Sequence, residues 1–476
     1  MNKSVLILGL GDIYWTKFAL IFSKLLQGVG IHVVIVLESR VGEYQAYLER
    51  CSYDNASVYY LSDFAMTYKP KHIAAHNIDN VMCDYLRVKM HGHMQKLYGT
   101  DWGMVSQCVE DFASYVYTTE NVGLVISDQV STSLSYTFCN EASNREIEFW
   151  GLSGSRLPGR YVSTSTVLSE SKVVESIYQE IISGDHVLTE EESAWAYGYI
   201  NSLDKQVPDY MRSARLNKLS LGKFIKKQYL KMILGSIVYS LNERVDKKYI
   251  LIKSAPITTI FNSTISNIAR LFKAKYIRRY FSADVEKSLN DSKYYVYPIH
   301  YQPEASTVVG SPFYTDQLNI ITNLAFSLPS GVKLVVKEHL SNVGLPTIEF
   351  YKVIKSLPNV VLVWHEENIK NLIKKSLGVI TLTGTAGFEA LLLDKPVYYF
   401  GDVFYTYHPN AMRISDWKMC KEQLSNPRMN CDYDNAAFLV AYRRYTIEGK
   451  LDFMKNDFGI AQSLLEKIQL KWNVKG

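Results

Sequence analysis

Short apolar runs of strand length recur along this chain, and most lead into a stretch with helical periodicity. Residues 4–10 and 31–37 (IHVVIVL) frame a helical stretch from Lys17 to Gln27. Val122 to Ile126 (VGLVI) leads through Ser127-Asp128-Gln129 into a helix expected over 131–142. The second half repeats the pattern at 293–300 (KYYVYPIH), 332–339 (VKLVVKEH), 359–365 (NVVLVWH), 377–384 (LGVITLTG) and 395–401 (KPVYYFG), with helical patterns such as 316–326 and 348–356 between them. Near-continuous apolar runs belong to strands covered on both faces, and parallel strands must be joined by a crossover, usually a helix. The pattern therefore predicts an α/β protein with two Rossmann-like, doubly wound parallel sheets around a cleft. The expected divisions are an N-terminal α/β domain over 1–187, a basic helical bridging region over 188–285, a second α/β domain over 286–430 and closing helices over 431–476.

A length of 476 residues leaves room for two such cores. The six cysteines, at 51, 83, 108, 139, 420 and 431, form no C-x-x-C pair. That argues against a zinc ribbon or redox motif and fits thiols in a reducing cytosol. The opening MNKSVLILGLGDIYW has too short an apolar run for a signal peptide and no small-x-small cleavage site, so it reads as the first strand. No run approaches the roughly 18 apolar residues of a membrane span, and a cytoplasmic protein is expected. Gly9-Leu10-Gly11 follows the first strand and Glu38 ends the second, but Tyr14 breaks the G-x-G-x-x-G pattern. A tight strand-to-helix turn explains these glycines better than a dinucleotide site. Tyrosine is abundant at 35 residues, a residue that can line sugar-binding surfaces but does not by itself imply one.

Charge is distributed unevenly. Between Arg212 and Phe281 sixteen Lys or Arg stand against Glu243 and Asp246, a local charge of +14 that leaves −9 for the rest of a chain whose total is +5. Two readings stay open: a peripheral anchor against an anionic membrane, or a solvated helical face that happens to be basic. No recognisable module or stacking motif points to nucleic acid.

The carboxyl ends of the second-half strands are unusually polar: His300-Tyr301-Gln302-Pro303-Glu304, Lys337-Glu338-His339, His365-Glu366-Glu367, and the small-residue turn Thr383-Gly384-Thr385-Ala386-Gly387 before a helical stretch from Phe388. In a parallel sheet these tips share one edge, where ligands of open α/β sheets bind. Lys337 and His339 share one strand face and can meet a phosphate. Thr385 and Gly387 can offer amides to it, and Glu389 in the first helical turn can reach ribose hydroxyls. Glu338 alternates with Lys337 and His339 and is expected to face away, solvated.

The blocks YPIHYQPEAST, VKEHLSNVG and NVVLVWHEENIKNLIKKSLGVITLTGTAGFEALLLDKPVYYFG, with the looser 122–165, resemble the bacterial capsule polysaccharide biosynthesis proteins, which include CMP-Kdo-dependent transferases of capsule and O-antigen assembly. The resemblance implies a GT-B glycosyltransferase with the nucleotide in the C-terminal half. It likens His339 to the donor-phosphate histidine of CMP-sugar users, although Leu340 stands where that motif has proline, and it marks Gln302 and Glu304 as active-site candidates. Asp128 is the candidate carboxylate of the N-terminal half, with Glu304 second; Arg156 and Arg160 are candidates for holding an anionic sugar or acceptor. The expected partners are a CMP-linked donor, a glycan or lipid-linked acceptor and capsule-assembly proteins, with no metal and no further cofactor. A UDP-sugar transferase, a non-hydrolysing sugar-nucleotide epimerase and a non-catalytic assembly scaffold are the alternatives.

Overall fold

The computed structural model describes residues 3–9, 13–46, 53, 55–70, 78–90, 98–168, 171–209, 211, 227–244, 248–249, 256–427, 429–451 and 458–473. Residues 10–12 of the first turn and 212–226 of the basic run lie outside these. Among the described residues, thirteen strands form two sheets. The first has the order β13-β6-β5-β4-β1-β2-β3, from β1 (Ser4–Gly9), β2 (Val33–Leu37), β3 (Ser57–Tyr60), β4 (Val122–Asp128), β5 (Glu148–Gly154), β6 (Arg160–Thr164) and β13 (Ile447–Glu448). The second has the order β12-β11-β10-β7-β8-β9, from β7 (Tyr294–Pro298), β8 (Lys333–Lys337), β9 (Val360–Val363), β10 (Gly378–Thr381), β11 (Val397–Tyr399) and β12 (Ala411–Arg413). The second sheet is parallel throughout, and the first is parallel except for β6 and β13.

The apolar runs place alternate residues on opposite faces, and both faces are covered. In the first sheet Val5, Ile7, Val33 and Ile35 pack beneath α1 (Ile13–Gly28). Leu6, Leu8, Val34 and Val36 pack beneath α3 (Trp102–Thr119) and α4 (Ser133–Asn144), while α2 (Val41–Ala46) follows β2. In the second sheet Tyr295, Tyr297, Leu334 and Val336 face α8 (Gln317–Ser327) and α9 (Ile348–Ser356). Val296, Val335, Val379 and Val397 face α11 (Thr385–Leu391) and α12 (Asn435–Tyr445). Many tyrosines are core residues here. Tyr294 and Tyr295 are buried and donate their hydroxyls to the carbonyls of Leu372 and Leu424.

Along the chain, α5 (Glu190–Asn201), α6 (Lys227–Asn242) and α7 (Pro256–Ile277) lie between β6 and β7, and α10 (Ile369–Lys375) follows β9. The chain ends by returning to its beginning: β13 joins the first sheet beside β6, and residues of α13 (Phe458–Trp472) pack into the core that holds α1. The sequence pattern missed β3, β5, β6, β12 and β13; β3, β12 and β13 are sheet-edge strands of two to four residues, whereas β5 is a seven-residue strand inside the first sheet.

The return is tied at Arg160. Its guanidinium donates to Thr446 Oγ1 at 2.7 Å, to the carbonyls of Arg443 at 3.1 Å and Thr446 at 2.7 Å, and to Glu448 at 2.8 Å. The Glu448 carboxylate is exposed and contributes little. The carbonyl bonds lie in a part-buried setting and lose their donor on truncation. Arg160→Ala should therefore lower the unfolding free energy by roughly 2 kcal/mol, seen as a lower urea midpoint.

Candidate active site

In an open parallel sheet, ligands bind where the strand order reverses. In the second sheet this is between β7 and β10, and in the first between β1 and β4. The β7 tip carries His300, Gln302 and Glu304, and the β10 tip carries the Thr383–Gly387 turn. His300 Nε2 lies 3.0 Å from Thr381 Oγ1, and Thr383 Oγ1 donates to the Ser306 carbonyl at 3.0 Å, so the two tips are laced together. His300 is clamped from behind by Gln317, whose side chain accepts from its amide at 2.7 Å and donates to its carbonyl at 2.8 Å. Burial first, then repulsion from His339 when that ring is protonated, pushes the His300 imidazole down to about 3, so the ring is neutral. One buried polar atom at this tip, Gln302 Nε2, has no partner among the described residues. Glu304 is exposed and accepts from Ser306 Oγ at 2.8 Å.

The β8 tip differs from expectation in one residue. Glu338 is buried rather than solvated: its carboxylate accepts from Tyr351 at 2.5 Å, the His339 amide at 2.8 Å and Asn342 at 3.2 Å. Burial raises its pKa, against the lowering effect of these donors. The network holds the loop that aims the neighbouring side chains. Lys337 Nζ donates to the His365 carbonyl at 3.0 Å, and the His339 ring lies parallel to Tyr301 at 6.3 Å. His339 Nδ1 accepts from the Ser341 amide at 3.2 Å, which leaves the proton on Nε2. Burial first, then the charges of Lys337 and His365, hold this imidazole down at about 4. It is a neutral hydrogen-bond donor at neutral pH.

Beyond His339 the loop is gripped from α7. Arg270 donates to the carbonyls of Ser341 and Val343, and Lys273 to those of Leu345 and Pro346. Sequence reading did not single out Arg270, Lys273, Gln317 or His300 as site residues. An i, i+3 basic pair on one helical face was the signal available for the first two.

The small-residue turn also has its own structural logic. α11 begins at Thr385, three residues before the expected start, so Glu389 stands in the second turn. There it is buried and 3.4 Å from Lys370 Nζ, which donates to the carbonyls of Leu203 and Gln206; it is turned towards this junction rather than placed in the first turn. A Cβ on Gly384 would press on Thr381 Oγ1 and His300 Nε2, and one on Gly387 would overlap the Tyr405 hydroxyl. The Gly384 amide donates to Thr381 Oγ1 and the Gly387 amide to the Gly384 carbonyl, so both are used inside the turn. Close packing therefore accounts for both glycines, while Thr385 and Ala386 open the helix.

From the first sheet, Asp128 ends β4 at that sheet's reversal, with Ser127 Oγ 3.4 Å from its carboxylate. Arg156 reaches the second half: its amide donates to Tyr442 Oη at 3.1 Å, and its charge acts on Tyr405, whose hydroxyl bonds the Gly384 carbonyl. Arg160 does not join them. It is committed to the 443–448 tie, beside a groove of about 570 Å³ lined also by Trp195, Tyr199, Arg443 and Glu448. Asp84, which sequence reading passed over, is half-buried and held by the Ser133 amide and hydroxyl, and desolvation raises its pKa. Its neighbours Cys83 and Leu86 pack on Val308 and Val309, joining the halves beside Glu304. Among the described residues no group of three His, Cys, Asp or Glu is arranged to hold a metal ion.

Residues 258–411 match the family described as capsule polysaccharide biosynthesis protein, the family that the tip motifs resemble. The matched span holds most of α7, β7 to β11 and all four polar tips. No curated protein matches the chain. Among solved structures it is similar to the beta Kdo 2,7 transferase and the beta Kdo 2,4 transferase of Thermosulfurimonas dismutans KpsC. The first is 13% identical, covers 70% of this chain and 80% of that one, and has a TM-score of 0.35. The second is 12% identical, covers 68% and 80%, and has a TM-score of 0.36. It is also similar to S. aureus MnaA with UDP, at 11% identity over 100% and 98% of the two chains with a TM-score of 0.27.

Two predictions follow from these packing and protonation states. Gly387→Ala should cost about 1–3 kcal/mol of stability through overlap with Tyr405, measurable by urea unfolding. His300, His339 and His408 are held at about 3, 4 and 4 by burial, below the unfolded value of 6.5. As pH falls below 6.5 the unfolded chain binds protons that the fold refuses, so stability drops down to about pH 4. Each histidine contributes at most about 1.4 kcal/mol per pH unit, and Glu338, shifted upward, acts in the opposite direction. The urea midpoint at pH 5 should lie clearly below that at pH 7, and equal midpoints would contradict neutral rings.

Proposed function

We propose that this protein is a glycosyltransferase of capsule polysaccharide biosynthesis that binds a nucleotide sugar in the crevice between β7 and β10. The observation that carries the reading is the gathering of His300, Gln302, Lys337 and His339 at the carboxyl edge beside the reversal of strand order, with Gln302 Nε2 buried and without a partner among the described residues. The family match supports the same role.

Charge building on the departing phosphate requires donors that are already in place. Lys337 supplies a fixed cation, and His339 Nε2–H a neutral donor whose direction is set by the Ser341 amide. Gln302 completes the donor side. One cation and one neutral donor suit a single phosphate better than a diphosphate, which favours a CMP-linked sugar. An acidic sugar such as Kdo fits the family resemblance. Asp128, on the opposite sheet, is the carboxylate we assign to the oxocarbenium-like centre or to the acceptor proton, with Glu304 second. Arg156 faces an anionic sugar or acceptor.

Thermal-shift titration with CMP, UDP and GDP tests the donor assignment. A ligand at about 100 times its dissociation constant stabilises the fold by roughly 2.7 kcal/mol. CMP should raise the melting temperature selectively, and His339→Ala should abolish the rise. Asp128→Ala should keep the CMP response and lose sugar transfer. Selectivity for UDP would favour a UDP-sugar transferase or epimerase. A response to none of the three would sink the nucleotide site and favour the scaffold.

A further inference from the structure

Two helices of the basic segment turn apolar side chains outward. On α6, Leu230, Leu234, Ile237 and Leu241 are exposed, Leu241 at 80%. The opposite face of α6 is occupied: Gln45 donates to Ser236, Tyr44 donates to Glu243, and Tyr239 is buried. On α7, Ile257, Phe261, Ile265, Ile268 and Phe272 are exposed, Phe272 at 72%. The inner face of α7 carries Arg270 and Lys273, committed to the loop beyond His339. The spacings of three and four residues keep each outward set on one narrow stripe of its helix. The stripes lie on adjacent helices, joined where Tyr229 Oη meets Thr264 Oγ1. Soluble proteins seldom expose apolar side chains in such continuous rows, and those that do use them for binding.

The charge around the stripes selects the occupant. Neither α6 nor α7 contains an Asp or Glu. Lys231 and Lys275 are exposed on the same helices, and Arg279 lies over the Tyr276 ring at 3.8 Å. Glu243, the first acid after α6, accepts from Tyr44 and pairs with Arg40. Apolar stripes flanked by cations and lacking acids suit helices lying in the interface of an anionic bilayer. A second copy of the chain suits them poorly, because its docking would bring two +14 segments together. Among the described residues no helix is long and apolar enough to cross a membrane, so the contact is with the surface.

We propose that the outer face of α6 and α7 is a docking surface for an anionic phospholipid bilayer, with both helices lying flat in its interface. The proposal does not depend on the transferase reading.

Flotation of the full chain with vesicles tests it. The chain should float with phosphatidylcholine vesicles containing one-third phosphatidylglycerol. Its affinity for phosphatidylcholine alone should be at least about tenfold lower, and high salt should weaken the anionic binding. Phe261→Ser with Phe272→Ser should reduce binding to the anionic vesicles at least about tenfold without lowering the melting temperature, since both rings are exposed. Lys231→Gln with Lys275→Gln should reduce the preference for anionic over neutral vesicles. Failure of the unaltered chain to float, or undiminished flotation of the double Phe variant, would overturn the proposal. So would a dimer seen by sedimentation that the Phe substitutions dissolve without any vesicle binding, since the face would then belong to a second copy. The CMP thermal shift is read on the same samples, so a chain that floats but ignores CMP counts against the transferase reading alone.

Discussion

A parallel strand cannot be joined to its neighbour by a tight turn, and most of the site follows from that constraint. Every crossover returns the chain to the same end of the sheet, so all carboxyl ends share one edge. In the second sheet the chain first builds outward from β7 through β8 to β9, then crosses back to lay β10, β11 and β12 on the other side. The loops after β7 and β10 leave in opposite directions, which is where ligands of open parallel sheets bind. His300, Gln302 and the Thr383–Gly387 turn meet there because they end the two strands on either side of the reversal. Asp128 occupies the corresponding position in the first sheet, beside β1.

The chemistry at that edge rests on protonation states set by burial. His300 and His339 are kept neutral by the cost of charging a ring away from water, and nearby charges add to the effect. Glu338 has the same problem with the opposite consequence, and its three donors make a buried carboxyl tolerable. The result is a loop that is rigid at its base and presents a lysine and a neutral imidazole side by side. A charged His339 next to Lys337 would repel it, so neutrality lets the two side chains lie close together.

Much of this was legible in the residues. The long central strands were readable because burial on both faces leaves near-continuous apolar runs. Edge strands such as β12 and β13 have no such signature, being two or three residues long and paired on one side. Polar tips were readable as tips, which is why Lys337, His339, Gln302 and Thr383 fall along one edge. Orientation within a tip was not. Alternation correctly turned Glu338 away from its neighbours, but it could not show that Tyr351 and Asn342, brought from α9 and the loop, would bury it. Arg160 reads as a site cation in sequence, yet it is tied to residues nearly three hundred positions away, and only the chain's return to the first sheet reveals that. The glycines at 384 and 387 likewise owe their smallness to His300 and Tyr405, which come from other tips and loops.

Helix α7 has two working faces. Through Arg270 and Lys273 its inner face holds the carbonyls of a loop whose first side chain is His339, while its outer face carries exposed isoleucines and phenylalanines. A helix is stiff along its length, so it cannot move outward or roll without either stretching those bonds or carrying the loop with it. Whatever fixes the outer face therefore also fixes the loop that carries His339. The same rod that a surface would press upon is the brace of the β8 tip.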